Sequence, residues 1–240
     1  MRTATDERVL AVAGPAGWAC LHPFRPGGKH WGGAFIGTDH DGGAVAGSAL
    51  RTLISLAQAR GATPEWFSTQ AGAALQLPQG WRSTGVGEWH YMWTEQAPGG
   101  PGTDGAYAGP ELVELDDTAD AAEIEAFGRQ HNTGFEGFPG WGYARLWLGV
   151  RDPELVAVGA VHILGSGAPH LAGILTHPSR RGQGLGAVLV SELTRRAIAV
   201  NGVCTLGVDH DNTTAIRLYE RLGYRTAHVF RTVDLTPGPR

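Results

Sequence analysis

One short segment constrains this 240-residue chain more than any other. An apolar run over 170–176 breaks at His177-Pro-Ser-Arg-Arg-Gly-Gln-Gly-Leu-Gly-Ala187, and apolar residues resume at helical spacing as Leu185, Val188, Leu189, Leu193 and Ala197. The pattern is a strand, a turn with glycines at 182, 184 and 186, and a helix. A helix start presents unsatisfied N–H groups and a partial positive charge, and glycines let an anion approach the backbone closely. A pyrophosphate fits such a turn, although a tight connection that binds nothing has the same letters. No Gly-Lys-Ser/Thr follows, so the turn is not a Walker loop. The spacing Arg181-x-x-Gly184-x-Gly186 also departs from the dinucleotide fingerprint.

Around this turn the elements alternate in type. Residues 111–115 read as a strand and 118–130 as a helix opened by Asp117 and Thr118. Residues 143–150 and 155–164 flank the turn Arg151-Asp-Pro-Glu154 as a hairpin. A strand over 170–176, a helix over 184–200, a strand over 203–208, a helix over 212–222 and a strand over 224–233 complete the series. The class is mixed α/β. Residues 97–110 carry prolines at 98, 101 and 110 and five glycines, so they read as a linker between a first domain, 1–96, and a second, 111–240.

The first domain resembles an eroded copy of the second's ending. In each, a helix runs into a glycine (Gly61, Gly202), a strand follows, and a second glycine precedes an aromatic, an arginine and a hydroxyl residue: Gly80-Trp81-Arg82-Ser83 and Gly223-Tyr224-Arg225-Thr226. Counting back from Gly80 sets Thr69 against Asn212 and Gln76 against Tyr219. In the place of the glycine turn stand Asp39 and Asp41, which repel phosphate. Catalysis is therefore expected of the second half alone.

The net charge of −4 is scattered, with no basic tract of the kind that neutralises successive phosphates, so nucleic acid is not expected as a partner. Cys20 and Cys204 stand far apart without metal-site spacing, which predicts neither a disulfide nor a metal. The charged start and the lack of a long apolar run predict a cytoplasmic protein without a membrane partner.

Arg181-x-x-Gly184-x-Gly186, preceded by Thr176-His-Pro178 and followed by Asp211-Asn212 and Leu218-Tyr-Glu-Arg-Leu-Gly-Tyr224, resembles the coenzyme A loop and its continuation in the GNAT superfamily of N-acetyltransferases. The resemblance covers about residues 111–235. It implies a GNAT fold in the C-terminal half, a smaller degenerate GNAT-like domain before it, and acetyl-CoA as cofactor without a metal. The implied cofactor contacts are backbone N–H groups of Arg181, Gly182, Gln183, Gly184, Leu185, Gly186 and Ala187 for the pyrophosphate. Ile174, Leu175 and Thr176 are implied along the pantetheine, with Asn212, Ala215 and Tyr219 beside the arm and the sulfur. An asparagine before a helix is equally an N-cap.

Acetyl transfer to an amine needs a deprotonated nucleophile, donors for the carbonyl oxygen and a proton for the thiolate. The resemblance implies Tyr219 as the acid, although its place on the stripe Ala215, Leu218, Tyr219, Leu222 also suits a core residue. Some relatives carry a glutamate five residues before the asparagine; here that position is Gly207. Asp209 and His210 are the nearest candidate bases, with Glu136 and His177 as others. The segment 131–143, with Phe135, Glu136, Phe138 and Trp141 spaced by glycines, reads as an acceptor wall for a small-molecule or peptide amine, or as a loop packing its aromatics beneath it. A coenzyme A-binding sensor without chemistry is the alternative function.

Overall fold

The computed structural model describes residues 9–23, 30–38, 43–99 and 110–238. These form two compact units that are not two continuous stretches of chain. One holds the residues up to His90 together with Asp209–Asp211 and the chain from His228; the other holds Tyr91–Val208 and Asn212–Ala227. Most of the expected linker, 100–109, lies outside the described residues.

In the first unit, β1 (Leu10–Gly14), β2 (Gly17–Pro23) and β3 (Trp31–Gly37) form an antiparallel meander. Helix α1 (Ala44–Ala59) crosses over to β4 (Pro64–Gln70), which lies parallel to β3. The strand order is β1-β2-β3-β4-β11-β5, with β5 (Trp81–Thr94) and the chain's last strand, β11 (Arg225–Pro237), each shared with the second unit. Val233 and Leu235 of β11 join Leu50, Leu53 and Phe67 in this unit's core. That burial explains why β11 extends beyond the expected end at residue 233.

In the second unit the order is β5-β10-β9-β8-β7-β6, built from β6 (Leu112–Leu115), β7 (Ala144–Arg151), β8 (Leu155–Ile163), β9 (Pro169–Thr176) and β10 (Cys204–Asp209). Strand β8 is apolar almost throughout because both of its faces are covered. Leu189 and Leu193 of α3 (Leu185–Asn201) share a core with Val156 and Val161, while Ile124 and Phe127 of α2 (Ala121–His131) share one with Val158 and Ala160. Helix α3 stops at Gly202 in the left-handed conformation (φ 73°), and α4 (Thr213–Arg221) follows β10.

Helix α2 begins three residues later than its sequence suggests. Asp116 Oδ1 accepts the Thr118 and Ala119 N–H groups at 2.8 and 2.7 Å, and Asp120 Oδ2 accepts the Asp116 N–H at 2.7 Å. These bonds form a polar turn that competes with the first helical turn.

The two units share one piece of geometry. Both units contain a parallel strand–helix–strand crossover whose helix is capped by a left-handed glycine, Gly43 (φ 89°) in one and Gly184 (φ 80°) in the other. The first unit lacks a counterpart of α4: residues 71–80 run without helix into β5. Thr69 lies buried inside β4, so the count that set it against the cap Asn212 does not hold. Among the described residues no helix is long and apolar enough to cross a membrane, and no cluster of side chains is arranged for a metal.

Candidate cofactor and acceptor site

The site begins where two parallel strands part. β9 and β10 pair only at His170↔Thr205 and Leu171↔Leu206, although both continue, to Thr176 and Asp209. The cause lies in β9. Against β8 its register runs from Ala160↔Ala172 to Val158↔Leu175, so β9 carries one extra residue there. Gly173 occupies this bulge with φ 61°, and a Cβ on it would meet Gly137 Cα at 3.1 Å and the Phe135 ring at 3.2 Å. A bulge bends its strand. Leu175 and Thr176 consequently remain paired to β8 on one side, and Ile174–Thr176 offer β10 an unpaired strand edge on the other.

That edge leads into the glycine turn. The His177 N–H is held by Val156 O at 2.8 Å, and its ring Nδ1 accepts from Ser179 N and Oγ at 3.2 and 2.8 Å, shaping the 3-10 turn Pro178–Arg180. Arg180 is paired with Asp152. Arg181, Gly182, Gln183 and Gly184 are exposed, and Gly182 and Gly184 hold left-handed conformations. The N–H groups of Leu185, Gly186 and Ala187 begin α3, and no side chain caps them. A Cβ on Gly186 would lie 3.6 Å from Thr176 Oγ1 and 3.9 Å from Leu218 Cδ2, so the end of β9, the start of α3 and the flank of α4 converge.

Asn212 Oδ1 accepts the Ala215 N–H at 3.1 Å, which establishes its capping role. Tyr219 is 6% exposed, edge-on to Tyr224 at 5.9 Å. Burial pushes its phenol up to about 12, so at neutral pH it is a proton donor and not a base.

Asp209 and His210 group with the first unit, whereas Tyr219 belongs to the second. Both are exposed; the His210 N–H donates to Glu88 O at 2.9 Å, and its ring stacks on His90 with Nδ1 and the His90 Nε2 3.0 Å apart. His177 is committed to shaping its turn, and Glu136 is exposed.

The aromatic segment divides. Phe135 is 2% exposed and fills the space above two glycines: a Cβ on Gly128 or Gly137 would stand 2.3 or 2.5 Å from its ring. It is core, which corrects its reading as a wall residue. Trp141 is 61% exposed, and the half-buried Phe138 lies 6.0 Å from the Tyr143 ring. His162 and His170, which sequence reasoning passed over, lie as direct cross-strand partners on β8 and β9. Their equal distance from the intervening turn was the signal available.

Residues 113–224 match the model of the acetyltransferase (GNAT) family. This segment is a GNAT domain. A GNAT-family protein from Novosphingobium aromaticivorans DSM 12444 has the same fold over 91% of this chain and 89% of its own, with TM-score 0.63 and 24% identity. A GCN5-related N-acetyltransferase from Kribbella flavida is similar over 97% and 91%, with TM-score 0.61 and 19% identity. A tandem GNAT protein from the clavulanic acid biosynthesis pathway is similar over 97% and 85%, with TM-score 0.52 and 15% identity. The likeness in fold thus takes in the first unit as well. None of the curated proteins compared matches the chain.

Proposed function

We propose that this GNAT protein transfers an acetyl group from acetyl-CoA to a primary amine of a small molecule or peptide. The observation that carries the reading is the convergence of the unpaired β9 edge, Ile174–Thr176, with the uncapped start of α3 beside α4. The residues present fit the cofactor. The edge matches the pantetheine amides, and the exposed, side-chain-free turn at Gly182 and Gly184 matches the pyrophosphate. When bound, acetyl-CoA supplies the activated acyl group.

The chain's own residues divide the remaining work. Backbone N–H groups at the bulge beside Ile174 steady the carbonyl oxygen. Tyr219, protonated at neutral pH, delivers a proton to the departing sulfur. Asn212 and Ala215 position the pantetheine arm, while Asp209 and His210, the bases read from the sequence, group with the first unit and are assigned no step. Phe138, Trp141 and Glu136 meet the acceptor. One observation favours a sensor that binds coenzyme A without turnover: Gly207 leaves β10 without a carboxylate at that position.

The test is thiol release from acetyl-CoA with a panel of primary amines, using the parent protein and Tyr219→Phe. Amine-dependent release that falls by about 10²–10⁴ in the variant, with coenzyme A affinity kept, supports catalysis. Coenzyme A binding without amine-dependent release supports the sensor.

A further inference from the structure

The histidines His162 and His170 play no part in the chemistry above, yet the fold fixes both. As direct partners across an antiparallel pair they rise from one face of the sheet, with Cβ atoms about 4.5–5.5 Å apart. Their tautomers follow from their partners. Gly137 O can only accept, so His162 meets it with Nε2–H, at 2.9 Å. Thr205 gives its single hydroxyl proton to Pro169 O at 2.8 Å, so it accepts from His170 Nδ1–H at 3.0 Å.

Each ring therefore keeps one lone pair, on His162 Nδ1 and on His170 Nε2. Neither atom has a protein partner among the described residues. Neither is sealed away, because no described side-chain nitrogen or oxygen is both fully buried and unpartnered. The surroundings are aromatic: Tyr91 lies nearly parallel over His170 at 6.2 Å, and Tyr143 and Trp147 stand 6.2 and 6.4 Å from His162. Burial keeps both rings neutral. It pushes His170 down to about 4, with the neighbouring His162 adding to the effect, and lowers His162 against the opposing bond to Gly137 and the charge of Asp117.

The geometry points to His162 Nδ1 and His170 Nε2 as the pair that receives the acceptor's amine, the amine being carried on an aromatic or aliphatic group. This rests on the acetyl-transfer reading and deepens it. An amine arriving as ammonium gives one proton to His162 Nδ1. Its freed lone pair forms the C–N bond as the C–S bond breaks, and the sulfur takes the Tyr219 proton. The second proton leaving nitrogen returns to the phenolate through water. His170, the weaker base, orients the nitrogen.

The test uses full-length protein labelled with ¹⁵N-histidine, whose long-range ¹H–¹⁵N spectra report tautomers, titrated with 2-phenylethylamine at pH 7.5. The expected spectra show Nε2–H on His162 and Nδ1–H on His170, with saturable shifts on the two lone-pair nitrogens. His162→Gln keeps a donor for Gly137 O and weakens amine binding about tenfold. Reversed tautomers, no saturable shift at either ring, or an unweakened His162→Gln overturns the assignment. Loss of coenzyme A binding with these shifts intact instead overturns the acetyltransferase reading and leaves an amine site.

Discussion

Trp147 donates its indole N–H to Asp117 Oδ1 at 2.8 Å, and the other oxygen of that carboxylate accepts the Gly142 N–H at 3.0 Å. One side chain ahead of α2 thus ties the core of β7 to the segment that carries Phe138 and Trp141. Trp147 is 1% exposed, so its N–H has no ready substitute partner. Asp117→Ala is expected to destabilise the fold by about 1–3 kcal/mol in urea unfolding. It should also speed amide exchange at Gly142 without changing coenzyme A affinity.

The neutral His170 sets a pH dependence whose sign is fixed. Its folded pKa, about 4, lies below the unfolded value near 6.5, so over this window the unfolded chain binds more protons. Stability is therefore full above about pH 6.5 and declines as pH falls toward 4, by up to about 3 kcal/mol from this residue. In unfolding curves between pH 7 and 5, His170→Gln should flatten the slope. Glu192, held down to about 2 first of all by its bond to Arg195, contributes a constant stabilisation above its ordinary value of 4.5 and loses it only below, so its slope leaves this window clear.

Asn212 separates two roles. As a cap it resembles serine, so Asn212→Ala should cost about 1 kcal/mol while Asn212→Ser keeps the melting temperature. If the amide also meets the pantetheine arm, as proposed, the serine variant binds coenzyme A several-fold more weakly at unchanged stability. Equal affinity for the parent and the serine variant would restrict Asn212 to capping.

The order of elements from β6 onward was legible because each is marked locally: apolar periodicity for α3, glycine at its end, an asparagine cap for α4. Strand partners were not, since β4's neighbour is the last strand of the chain and no local pattern encodes that choice. β5 runs for 14 residues through Gly85 and Gly87, and its length comes from neighbours on both sides rather than from its own propensity. The glycine turn was readable as a turn because its conformations demand glycine at 182 and 184. The acceptor side was harder. Which aromatic of 135–143 turns inward depends on the hole left by Gly128 and Gly137, and a pair such as His162 and His170 exists only once the hairpin register is known.

The most direct test of the central claim is calorimetric titration of coenzyme A and acetyl-CoA into the parent and Gly186→Glu. Gly186 stands in the first turn of α3 with ordinary space for a Cβ, and a carboxylate near a helix start is tolerated, so the variant should fold as stably as the parent. Its side chain would occupy the meeting point of β9, α3 and α4. Micromolar binding to the parent that falls at least 100-fold in the variant is the predicted result. No binding to the folded parent at millimolar ligand, or equal binding by both, would contradict the account.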